Sequence, residues 1–172
     1  MIKMRPRART QRSTVKTLLI VGEGETEVAF LTHLKALYAP RGCGLTVRVV
    51  CAHGKGAKHV VEVAIRQSQN AAFDCVAALL DTDTDWSAKV QRRAEEHRIH
   101  LLLSQPRIEA MLLRALGQKT GHSKDDQKKR LAQALKDPLV AGSYAAAFDM
   151  STLQNARQRE RVIDELLQLF IL

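Results

Sequence analysis

Four short strand-like runs, each followed by a stretch with helical periodicity, restrict this chain more than any other feature. The runs are residues 17–21, 45–51, 76–80 and 99–103. The third, Val-Ala-Ala-Leu-Leu, holds no polar side chain and reads as a strand covered on both faces. After the first run, Val28, Leu31 and Leu34 recur at helical spacing and predict a helix from about 26 to 38. Further helices are expected to about residue 69, from 87 to 97, and from Pro106 to Gly117. Strands alternating with helices imply βαβ units, hence an α/β fold with a four-stranded parallel sheet flanked by helices. In such open sheets, ligands bind beyond the carboxyl ends of the strands.

Those four ends carry chemistry. The third run stops in acids at alternate positions, Asp81, Asp83 and Asp85. If the backbone stays extended, the three side chains point the same way and repel one another unless a cation sits among them. Clustered hard oxygens suit Mg²⁺ or Mn²⁺. A solvated acidic turn, with Asp85 or Ser87 capping the next helix, is the plainer alternative. The first run ends in Gly22-Glu23-Gly24, where the glycines allow a sharp turn and leave the carboxylate uncrowded. Glu23 there is a metal ligand or a proton carrier, or else a plain turn acid. Glu27 follows one helical turn on, as an accessory acid or a helix-dipole acid. The second run leads into Gly54-Lys55-Gly56-Ala57-Lys58, which lacks Walker A spacing. It offers backbone N–H groups and two ammonium groups at a helix start, a phosphate seat if it is not an ordinary turn. The fourth run ends in Ser104, with Glu109 one helical turn further.

The chain of 172 residues fits one core, with Lys plus Arg at 27 against Asp plus Glu at 18, a formal charge of +9. That balance favours polyanionic partners such as nucleic acid or phosphorylated ligands. The three cysteines lack Cys-x-x-Cys spacing, so the expectation is reduced thiols in a cytoplasmic protein and no zinc. No apolar stretch has the length of a signal peptide or a membrane span. Residues 1–16 carry Lys3, Arg5, Arg7, Arg9, Arg12 and Lys16 without an acid: a basic arm, either for nucleic acid or as a solvated tail. Residues 17–117 form the α/β core. Residues 118–172 form a helical extension, with helices at about 124–136 and 140–148. A last helix is capped by Ser151 with Gln154 and has Leu153, Ala156, Ile163, Leu167 and Phe170 on one side.

Gly-Glu-Gly-Glu-Thr-Glu (22–27), Asp-Thr-Asp (81–83) and Ser-Gln-Pro-Arg-Ile-Glu-Ala (104–110), in that order after strands, resemble the Toprim fold. They resemble most the small bacterial RloB-like and OLD-nuclease-like proteins of phage-defence and restriction loci. The resemblance spans about residues 17–116. It implies that Glu23 is the Toprim glutamate, that Asp81 and Asp83 are the metal pair, and that Glu27, Ser104 and Glu109 are accessory. It further implies a Mg²⁺- or Mn²⁺-dependent nuclease. No ATPase module accompanies the motifs, so an ATP-driven activity requires a partner protein. The competing expectation is a nucleic-acid- or partner-binding subunit that keeps the shape without the catalysis.

Overall fold

The computed structural model describes residues 14–83 and 85–171; the basic residues from Lys3 to Arg12 lie outside them. Four strands, β1 (Lys16–Gly22), β2 (Leu45–Cys51), β3 (Cys75–Asp81) and β4 (Ile99–Ser104), form one all-parallel sheet in the order β2-β1-β3-β4. The expected α/β architecture is the observed one. The chain moves from β1 outward to β2, then crosses to the other side of β1 for β3. The carboxyl ends of β1 and β3 therefore flank the point where strand order reverses, the usual crevice for ligands in open α/β sheets.

Helices cover both faces, because alternate strand residues are apolar on both sides. Helices α2 (Gly56–Asn70) and α3 (Ala88–Glu96) bury Val60, Val61, Ala64, Val90 and Ala94 against Leu19, Val21, Ala78 and Leu80. On the opposite face, α1 (Glu25–Tyr38) and α4 (Ile108–Ala115) share one apolar cluster with the last part of the chain, α5 (Lys124–Leu135), α6 (Met150–Ala156) and α7 (Arg161–Ile171). Leu131, Tyr144, Phe148, Leu153, Ile163 and Leu167 are fully buried there with Leu18, Ile20 and Leu79.

Two local expectations change. The last helix is two helices, broken over residues 157–160, and α6 is capped by Asp149, whose side chain accepts from Thr152 N at 2.7 Å, not by Ser151. Beyond α5 the chain makes only a short 3-10 turn, Ala141–Tyr144, where a helix of 140–148 was expected. Tyr144 is fully buried there between Phe30 and Phe148. No helix among the described residues is long and apolar enough to cross a membrane.

Candidate metal centre

Glycine at the end of β1 sets the geometry. A Cβ on Gly22 would lie 2.9 Å from Glu27 Cβ and 3.2 Å from Val28 N. Any other residue would therefore push α1 off the strand end. With glycine, α1 starts at once, and Glu27 is folded back over its own helix start. Its Oε2 accepts from Gly24 N at 3.1 Å. Glu23 remains in register with β3: its N–H donates to Leu79 O at 3.1 Å, and its Oε2 accepts from Asp81 N at 2.9 Å. Asp81 is fixed from the other side, its Oδ1 accepting from Ile108 N at 2.8 Å at the amino end of α4.

Carboxylate oxygens of Glu23, Glu27 and Asp81 consequently come within 4.8 Å of one another. Octahedral Mg²⁺ binds oxygens at about 2.0–2.1 Å, which places adjacent ligand oxygens about 3 Å and opposite ones about 4 Å apart, so small side-chain rotations close the set on an ion. Like charges at this separation cost about 3 kcal/mol per pair at an effective dielectric of about 20. Ionisation answers accordingly. Burial, then Glu27, Glu23 and Glu109, raise the Asp81 carboxyl to about 8. Burial, with Glu23 and Glu109, raises Glu27 to about 7. Burial, with Asp83 and Asp85, also raises Glu23, against the Asp81 N–H and the Lys124 ammonium. Three acids thus share too little positive charge to ionise together at neutral pH, which is the electrostatic condition a divalent cation relieves.

Ser104 adds a further oxygen. It pairs in register with Asp81 on the neighbouring strand and lies on the same face. Its hydroxyl is fully buried and has no hydrogen-bond partner among the described residues. Glu109 is 7% exposed; its charge acts on Asp81, Glu27 and Tyr144. Three carboxylates with a neutral hydroxyl beside them are a donor set suited to Mg²⁺ or Mn²⁺.

The alternate aspartates after β3 do not share one direction, because the strand ends at Asp81 and the backbone then turns. Thr82 N and Asp83 N both donate to Pro106 O at 3.1 Å. Asp83 accepts two hydrogen bonds on Oδ2 from Arg107, at 2.6 and 2.9 Å. The third Arg107 nitrogen, Nη1, donates to Gln127 Oε1 at 2.9 Å. Asp85 instead lies against the amino end of α2, accepting from Ala57 N at 2.6 Å and Lys58 N at 3.4 Å. Each aspartate has its own positive counterpart: the amino end of α4, a guanidinium, and the amino end of α2.

Of the residues singled out in the sequence, Glu23 and Asp81 meet, and Glu27, expected as an accessory, stands with them. Ser104 and Glu109 border the cluster. Asp83 and Asp85 lie beside it with other partners. The loop of Gly54, Lys55, Gly56 and Lys58 surrounds the helix start that Asp85 holds; a methyl on Gly56, at φ +81°, would overlap that carboxylate. Arg107, for which the sequence suggested no role, is clamped onto Asp83. Gln127, Lys124 and Tyr144 gave no signal in the sequence: they sit in a polar stretch and an irregular one, and the chain brings them to the cluster only by folding back across the sheet.

The family model of RloB-like protein matches residues 18–168. No curated protein and no solved structure matches the chain.

Proposed function

The chain belongs to the RloB-like protein family, and from that membership and the acid cluster at the sheet's reversal point we propose that it is a divalent-metal-dependent nuclease of Toprim type, hydrolysing phosphodiester bonds of nucleic acid. The observation that carries this reading is the convergence of Glu23, Glu27 and Asp81 within 4.8 Å in a chain of formal charge +9. Acids to hold a metal and an excess of cations to hold a polyanion are the two requirements of that chemistry.

Glu23, Glu27 and Asp81 would hold the ion, with the Ser104 hydroxyl beside them. A bound Mg²⁺ or Mn²⁺ supplies charge neutralisation at the phosphate and a more acidic bound water. The protein's own contribution is orientation and proton handling. The Ile108 N–H fixes Asp81, and the Gly24 N–H fixes Glu27. Glu23, at the strand end between two glycines, is the group assigned to take a proton from the attacking water and return it to the leaving oxygen. Lys55, Lys58 and the basic residues before β1 hold the backbone of the substrate. The family reading extends the proposal to a role in phage defence, with any ATP-driven step supplied by a partner protein.

The test is cleavage of labelled DNA and RNA with Mg²⁺ or Mn²⁺. Activity that disappears with chelator and in Asp81→Asn supports the reading; equal activity in wild type and Asp81→Asn removes it. One observation favours a second reading, a nucleic-acid-binding subunit without catalysis: Asp83 and Asp85 are both engaged, by Arg107 and by α2. That reading predicts salt-sensitive binding that needs no divalent ion and survives loss of Asp81.

A further inference from the structure

Among the described residues the sheet has two unpaired edges, β2 and β4, and the chain treats them differently. β2 carries an exposed Arg48 at its centre, a common way of keeping an edge strand from pairing. β4 reads Ile-His-Leu-Leu-Leu-Ser, without Asp, Glu, Lys, Arg, Pro or Gly. Its backbone direction is set by Thr82 N, which donates to Ser104 O, so the polar groups of Ser104, Leu102 and His100 face β3. The N–H and C=O groups of Leu101 and Leu103 therefore face outward, and among the described residues no hydrogen bond reaches them. Gln105, next on that side, is closed: its O accepts from Arg114 Nη2 at 2.7 Å. Leu101 and Leu103 are half-buried and line a groove of about 480 Å³ along this edge. The rim of the groove is neutral, since Arg114 pairs with Glu160 and Arg161 with Glu165. A polyanion finds no excess charge there. Unpaired amide groups at strand spacing fit another extended backbone.

We propose that this edge pairs with the same edge of a second copy of the chain, joining two sheets through antiparallel β4 strands with the two-fold axis at Leu102. That register sets Leu101 of each chain opposite Leu103 of the other, so each such pair exchanges both of its N–H···O bonds. The leucine side chains share a face and cover one another across the join. His100 falls opposite Ser104, and no like charges meet. The same operation on β2 would set Arg48 against its own copy. The neutral rims are compatible in the same way, each bringing two arginines and two glutamates to the other. Such self-complementarity is what an isologous contact requires. The proposal does not depend on the metal or the nuclease reading.

The experiment is sedimentation equilibrium of the full chain over a concentration series, with exchange of individual amide hydrogens followed by NMR on the same samples. A single paired edge is a small interface, so dimers should appear only at about 10⁻⁵–10⁻³ M. Added salt should favour them, because two chains of formal charge +9 repel. The Leu101 and Leu103 amides should exchange fast in dilute protein and slow at least about tenfold as dimer forms. The His100 and Leu102 amides, already bonded to β3, should be protected at every concentration. Leu103→Lys and Leu101→Glu should each weaken self-association at least about tenfold. Mixing the two variants should restore it, since the register brings Lys and Glu together across the axis, a rescue that a folding defect would not give. Should both variants unfold, the wild-type exchange decides alone. A wild type that stays monomeric up to about 10⁻³ M overturns the proposal. So does a dimer whose Leu101 and Leu103 amides exchange as in the monomer, or a mixture of folded variants that stays monomeric.

Discussion

Replacing Glu27 by glutamine should stabilise the metal-free protein, by an amount that depends on pH. Glu27 is 4% exposed and its carboxyl is raised from an ordinary 4.5 to about 7 by burial and by Glu23 and Glu109. The sign follows from linkage. The folded state binds this proton more tightly than the unfolded chain, so the stabilising contribution is complete below about pH 4.5 and is lost as pH rises to about 7. Each pH unit between the two values is worth about 1.4 kcal/mol, so ionised Glu27 costs the fold about 3 kcal/mol at pH 8 and under about 1 kcal/mol at pH 5. Glutamine keeps an oxygen for the Gly24 N–H and carries no charge. In chelator, Glu27→Gln should therefore gain about 2–3 kcal/mol more at pH 8 than at pH 5, a difference in Tm shift of roughly 4–12 °C for a chain of this size. Thermal and urea unfolding at the two pH values measure it. A variant that is destabilised at pH 8, or shifted equally at both, refutes the claim that the cluster is an unneutralised set of acids.

Mg²⁺ or Mn²⁺ should stabilise the wild type and release protons on binding at pH 7, seen as a dependence of the calorimetric heat on the buffer's ionisation enthalpy, because Asp81 and Glu27 titrate near 8 and 7; both effects should vanish in Asp81→Asn. Arg107→Gln should destabilise the protein by about 2 kcal/mol by leaving half-buried Asp83 unpaired. A double-mutant cycle with Asp83→Asn should return a coupling of about 1–3 kcal/mol, whereas additive losses would mean the pair contributes nothing. Gly56→Ala should cost roughly 1–3 kcal/mol in urea unfolding, since the residue is at φ +81° against Asp85. Asp85→Asn should relieve only part of that cost.

The sheet was legible in the sequence because its strands are short runs dominated by aliphatic residues, a pattern that depends only on local burial. The pairing of Glu23 with Asp81 was legible for a related reason: both stand at strand ends, and parallel strands bring their carboxyl ends to one edge. The fate of Asp83 and Asp85 was not. Alternation along an extended strand predicts a ladder of acids, but the strand stops at Asp81, and Pro106 O captures the next two N–H groups and bends the chain. Glu27 joined the cluster because Gly22 allows α1 to start against the strand, a close approach that spacing alone does not reveal. Arg107 and Gln127 meet where the start of α4 packs against α5, a pairing that depends on how the last third of the chain packs on the sheet. Local periodicity carries no information about that.

The central claim is that Glu23, Glu27 and Asp81 together bind one divalent cation. The most direct measurement is an anomalous difference map from crystals soaked in Mn²⁺. The account predicts a peak within coordination distance of all three carboxylates; a map with no peak there, or with manganese on Asp83 and Asp85 instead, contradicts it.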